Sequence, residues 1–306
     1  MLDISPNKIL HWVGNGLSVL GIAFVVVKLA EYGDQLALDD LEFWDWIILL
    51  TLALSYGLSG MLLALAWRDL LRYLGVSVRR RWAIGAYGVS QLAKYVPGNI
   101  FHLAGRQAIG AAAGIPGRLL AKSSLWELGT ISITGSLFGF LVFPLLISSL
   151  TQILVVGIFL AVLLTSTMIA LRWSGAPVSR AICWYAAFLA LSGLVFMAVL
   201  ALIATPNPSF TVNIPSICGA YVIAWLAGLV TPGAPAGVGI REVVLYALLH
   251  ILVSQTDLLT TILLARMVTV AGDMFFYLFA LVLFNRQTDL IANCRVVATQ
   301  HDQMLQ

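Results

Sequence analysis

The chain has 306 residues, 60% of them hydrophobic and only 10% charged, with a mean hydropathy of +0.97. That average excludes a soluble globular domain, and the net charge of +3 is too small to say as much as the placement of the charges does. Three distant cysteines (Cys183, Cys218, Cys294) and four scattered histidines (His11, His102, His250, His301) fit neither a disulfide framework nor a metal site.

Crossing a bilayer takes about 20 apolar residues for roughly 30 Å of hydrocarbon. Several runs approach or exceed that length, which predicts an all-α polytopic membrane protein. The first run, Trp12–Ala30, follows Lys8; it is long for a signal peptide, has no small-residue cleavage site after it, and reads as a retained membrane helix. From Glu31 to Asp45 there are six acids and no Lys or Arg. Trp44–Ala66 is the second run, followed by Arg68, Arg72, Arg79, Arg80 and Arg81. Basic loops mark the cytoplasmic side, so the N-terminus is expected inside and the acidic loop outside.

The third run, Trp82–Ala113, is broken by Pro97-Gly98 into two arms of 15 residues each. A helix that long covers about 22 Å, short of the core thickness. The segment therefore predicts a re-entrant hairpin from the cytoplasm, and the following loop, with Arg118 and Lys122, agrees. Leu125–Ile147 then runs outward and Gln152–Leu171 inward, to Arg172 and Arg180. Ala181–Ala204 runs outward to an uncharged loop. Ser216–Val253, broken at Pro232-Gly233, reads as a second hairpin entered from outside, and Leu258–Phe284 returns to Arg286 and Arg295. In this arrangement 12 of the 17 Lys and Arg residues are cytoplasmic and none lies in an outside loop. Both termini are then cytoplasmic.

The two broken runs match. Arg106 lies nine residues after Pro97, and Arg241 nine after Pro232. Two spanning helices precede each hairpin and one follows it. The expected architecture is a single domain, 1–306, of six spanning helices and two re-entrant hairpins. Repeat 1 covers about 1–150 with its hairpin at 82–113, and repeat 2 about 151–290 with its hairpin at 216–253. Three crossings per unit invert the second copy, as in many transporters.

A charge at mid-bilayer costs at least about 2.5–3.5 kcal/mol and marks a partner, water or substrate. Arg106 and Arg241 are expected just past the hairpin tips, formed by Pro97, Gly98, Pro232, Gly233, Pro235, Gly237 and Gly239. An arginine in the first helical turn opposes the helix dipole unless an anion is bound there, so Arg241 is read as a phosphate contact ahead of the alternative, an internal structural pair with an acid. Lys94, close before the first tip, is a second such contact. Arg266 and Asp273 share a face of the last helix two turns apart. Asp273 is open to four readings: a pair with Arg241, a cationic ligand, a proton, or a structural bridge. Glu127 reads as functional or as an interfacial snorkelling group, Lys28 as snorkelling, and His102 as a packing hydrogen bond.

The stretches YVPGNIFHLAGRQ and TPGAPAGVGIRE, with Glu127 in SSLWELG between them, resemble the lysylphosphatidylglycerol synthase transmembrane-region family, which includes the flippase part of the multiple peptide resistance factor. The run Pro235, Gly237, Gly239, Arg241, Glu242 is its most specific mark. The resemblance implies transbilayer movement of an anionic-headgroup lipid or lipid-linked molecule in the plasma membrane (the bacterial inner membrane), with Arg106, Glu127, Arg241 and Glu242 functional. The expected substrate is a phospholipid or a polyprenyl-phosphate-linked molecule, with the arginines on phosphate and Glu242, Glu127 or Asp273 on an amine or a proton. About 22 residues follow Phe284, too few for the aminoacyltransferase domain of larger members, so no enzymatic activity is expected. No GxxxxGK[ST] loop, cofactor or nucleic-acid partner is indicated, and monomer and homo-oligomer both remain open. The competing readings are an intramembrane lipid-modifying enzyme and a small-solute or ion transporter on the same scaffold.

Overall fold

The computed structural model describes residues 42–96, 100–147, 150–204, 213–231, 237, 239–250, 252–285 and 295–296. The expected first helix, Trp12–Ala30, and Pro97, Gly98, Pro232, Gly233 and Pro235 lie outside these residues, as does Lys28. The described chain is almost entirely helical. Its elements are α1 (Phe43–Tyr73), β1 (Val76–Ser77), α2 (Arg80–Gln91) continued by a 3-10 turn (Leu92–Tyr95), α3 (Phe101–Ala112) and α4 (Gly117–Leu137). A 3-10 turn (Phe138–Val142) leads into α5 (Phe143–Leu146), followed by α6 (Gln152–Trp173), α7 (Ala176–Ile203), α8 (Ile214–Val230), α9 (Ile240–Leu249), α10 (Gln255–Asn285) and β2 (Arg295–Val296).

Among the described residues five rods are long and apolar enough to cross a membrane: α1, α4 with α5, α6, α7 and α10. They coincide with five of the six runs predicted to span, as an all-α multi-pass membrane protein requires. The helices overrun those runs at their basic ends. α1 continues past Ala66 through Arg68, Asp69 and Arg72, and α7 starts at Ala176 rather than Ala181. Hydropathy falls at the first charges, whereas the helical backbone continues past them to residues that converge on one buried acid. Asp69 is 3% exposed and accepts from Arg180 Nε and Nη2, both at 3.2 Å, and from Trp184 Nε1 at 3.3 Å. Arg68 and Arg72 also face it, at 3.9 and 3.8 Å.

α10 is the central post. It packs against α1 through facing glycines: a Cβ on Gly57 would lie 2.6 Å from the Gly272 carbonyl oxygen, and one on Gly272 2.6 Å from that of Ala53. The order of these contacts, with Gly60 against Phe276, makes α1 and α10 run parallel. Gly88 of α2 meets Ala280, while Lys94 in the following turn reaches Asp273, so α2 runs antiparallel to α10. β1 pairs antiparallel with β2, Val76 opposite Val296, which gathers the ends of α1 and α10 at one face of the molecule. α6 lies at the periphery. Ile153, Leu154, Leu160, Leu164, Met168 and Ile169 are exposed on it, a lipid-facing apolar surface rather than a core.

The two broken segments each form a pair of short helices. α2 and α3 lie side by side, with Gly105 against Ser90, and α8 and α9 do the same, with Gly228 against Gly237 and Arg241. In each, the glycine removes the Cβ that would hold the backbones apart.

Candidate functional site

All seven charged candidate residues are described, and six of them pair. Arg106, on α3, faces Glu127, on α4. Its Nη1 is 2.8 Å from each carboxylate oxygen, and Tyr87 donates its hydroxyl to Oε1 at 2.9 Å. The guanidinium lies over the Tyr87 ring at 4.1 Å and 5.6 Å from the Trp67 ring. Arg106 and Glu127 are 2% and 4% exposed, so Glu127 is a buried partner and not an interfacial snorkelling group. Such a pair in low dielectric demands the extra donor and the aromatic faces that surround it. Arg106 Nη2 and His102 Nδ1 lie buried nearby in sequence without a hydrogen-bond partner.

Lys94 is 2.7 Å from Asp273 on α10. The Tyr95 hydroxyl and Gln91 Nε2 donate to the same carboxylate. Of the readings open for Asp273, the structure therefore takes an internal bridge, and its partner is Lys94 rather than Arg241. Lys94, expected as a phosphate contact, has its charge met by this acid.

Arg266, one face of α10 and two turns before Asp273, bonds Glu242 Oε1 through Nε at 2.7 Å and the Gly237 carbonyl through Nη2 at 3.0 Å. The other Glu242 oxygen accepts the Gly239 N–H at 2.6 Å, closing the N-terminus of α9. The negative charge expected at that terminus is thus supplied by Glu242 itself, three residues after Gly239. Gly237 and Gly239 both have positive φ, 72° and 88°, which only glycine adopts without strain.

Arg241 is left over. It is half-buried, its guanidinium 5.6 Å from the Trp225 ring, and its Nε is buried with no hydrogen-bond partner. No described carboxylate forms an ion pair with it. Four cations (Lys94, Arg106, Arg241, Arg266) and three anions (Glu127, Glu242, Asp273) sum to one positive charge, and Arg241 carries it. Its stem runs between Gly228 and Gly237: a Cβ on either would lie 3.1 Å from Arg241 Nε.

Beside Arg241 is a cavity of about 10 Å³ lined by Phe196, Tyr221, Glu242, Leu245, Arg266 and Thr269 among others, room for about one water molecule. A wider open groove of about 470 Å³, lined by Tyr73, Leu74, Lys122, Leu125 and Trp126, includes none of the seven charges. Among the described residues no three His, Cys, Asp or Glu side chains gather as a metal site.

Sequence reasoning did not identify Tyr87, Tyr95, Gln91, Trp225, Gly228 or Asp69. For one pair a signal existed. Gly105 and Ser90 are equidistant from the Pro97-Gly98 step, so folding the sequence back at that step places Arg106 opposite the turn that carries Tyr87. No protein-family model and no curated protein matches the chain.

Proposed function

We propose that the protein moves a lipid or lipid-linked molecule with an anionic headgroup across the bilayer, and that Arg241 meets the phosphate. The observation that carries this is the unpaired guanidinium of Arg241 among six paired charges. An uncompensated cation in an apolar helical bundle is costly and is retained where an anion visits it. The guanidinium meets the Trp225 ring and the adjacent cavity rather than an acid.

The architecture fits this reading. Each broken segment folds back as a re-entrant hairpin, α2 with α3 from the cytoplasm and α8 with α9 from outside, in an inverted repeat with both termini cytoplasmic. In support, Lys94 and Gly237, one from each tip region, reach α10 within two turns of one another, near its middle. The similarity to the lysylphosphatidylglycerol synthase transmembrane region, carried by the Pro235–Glu242 motif, points the same way and to the plasma membrane. The 10 Å³ cavity is smaller than a headgroup, so on this reading the helices around Arg241 move apart to admit one.

Reconstitution into proteoliposomes with fluorescent anionic lipids tests the proposal. Arg241→Gln is expected to cut translocation by roughly tenfold or more, as for loss of one member of a desolvated charge pair, and Arg241→Lys to restore part of it. Wild-type rates in Arg241→Gln for every anionic lipid tried would refute it.

A further inference from the structure

This inference rests on the transport reading above and concerns the charge type of the cargo. A headgroup amine held by opposite charge pairs with a carboxylate, and the three carboxylates among the candidate residues are already paired. Glu127, 4% exposed, pairs with Arg106: its Oε1 accepts from Arg106 Nη1 and Tyr87, and its Oε2, sealed from outside, lies 2.8 Å from the same Nη1 without a hydrogen bond. Asp273, also 4% exposed, holds Lys94 and accepts from Tyr95 and Gln91. Glu242 is the most accessible, its side chain 26% exposed, yet one oxygen is on Arg266 and the other on the Gly239 N–H. An ammonium approaching Glu242 would have to displace Arg266, which is anchored a second time on the Gly237 carbonyl. It would also stand among Arg241 and Arg266, and among the described residues no acid other than Glu242 lines the cavity. The rest of the cavity wall is apolar or hydroxylic, formed by Phe196, Tyr221, Leu245, Ile262, Ala265 and Thr269, and the nearby Trp225 ring is already faced by the Arg241 guanidinium.

We infer that the site takes a headgroup carrying one net negative charge on a phosphate and no cationic group, such as a glycerol phosphodiester or a neutral sugar on a prenyl phosphate. Aminoacylated and ethanolamine headgroups are excluded by like-charge repulsion and the lack of an acid. This reverses the expectation from the family resemblance, in which the acids receive an amine. Arg241 supplies the positive charge, while Arg266 acts as a positioning and selecting residue by keeping Glu242 occupied.

Three fluorescent lipids in the same proteoliposomes separate the cases: phosphatidylglycerol, phosphatidylethanolamine and lysyl-phosphatidylglycerol. Phosphatidylglycerol is expected to cross at least about tenfold faster than the other two. Arg266→Gln, which releases Glu242, is expected to narrow that ratio by raising the ethanolamine rate, an effect that simple loss of structure cannot produce. Equal rates for phosphatidylglycerol and either amine-bearing lipid overturn the charge assignment and leave the transport reading standing. If no lipid moves, both fall. A binding arm uses short-chain phosphatidylglycerol in detergent: it is expected to raise the melting temperature of the wild type and not of Arg241→Gln, with short-chain phosphatidylethanolamine inert. Inorganic phosphate at the same concentration is expected to be inert too. Stabilisation by phosphate equal to that by the lipid would mean that a soluble anion, and not a lipid headgroup, is the ligand.

Discussion

The two short-helix pairs carry the same arginine at the same distance from their Pro-Gly step, and the molecule treats the two arginines oppositely. Arg106 is sealed against Glu127 and two aromatic rings at 2% exposure, whereas Arg241 has no acid. The reason is the polarity of the neighbouring helix. In the first half the helix after the pair supplies a carboxylate, Glu127; in the second it supplies a guanidinium, Arg266, which takes Glu242 instead. Both halves use a carboxylate–guanidinium bond to fasten the returning arm to the next helix, with the charges exchanged. The exchange leaves one arginine over. The first pair is thereby a structural joint, and the second is the place for a ligand on the proposed reading.

Breaking the first joint should have the largest effect. Glu127→Gln is expected to cost about 3–5 kcal/mol by stranding a buried guanidinium, while the double variant Arg106→Met, Glu127→Leu should recover most of the loss. Chemical unfolding in detergent micelles reads both, and a single variant within about 1 kcal/mol of wild type would dissolve the contrast. Gly228→Ala comes next. A Cβ there would sit 2.9 Å from the Gly237 Cα and 3.0 Å from Arg241 Cγ, so about 1–3 kcal/mol of overpacking is expected, with a displaced Arg241 and slower transport. Arg241→Gln inverts the pattern of Arg106: stability should change by less than about 1 kcal/mol, in either direction, while transport falls, because no partner is orphaned. A loss as large as that of Glu127→Gln would show that Arg241 has a structural partner. The smallest effect is expected at the basic face. Arg180→Gln should cost below about 1 kcal/mol, since its side chain is 48% exposed and Arg68 and Arg72 still face Asp69.

Much of this was legible in the sequence because membrane chains cannot hide charge. Five spanning rods and both broken segments stand out from hydropathy and from Pro-Gly, and Lys94, Arg106, Glu127, Arg241, Glu242, Arg266 and Asp273 stand out as ions in an apolar text. Their partners did not. Lys94 and Asp273 are 179 residues apart, and only the packing of α2 on α10 decides that Asp273 meets Lys94 and not Arg241. Aromatic supports such as Tyr87 and Trp225 give no signal in a chain already 10% aromatic. Asp69 was hidden because it sits among arginines in a stretch that reads as a basic loop, yet α1 carries it inward as their common counter-ion. The helix ends were misjudged for the same reason.

The post at the centre has a mechanical implication. Arg266 and Asp273 project from one side of α10, about 10 Å apart along its axis, and each grips a different half of the molecule. A twist of that helix would slacken both grips in the same stroke, and freeing one alone would load the other. The two halves of the molecule are therefore geared to a common shaft.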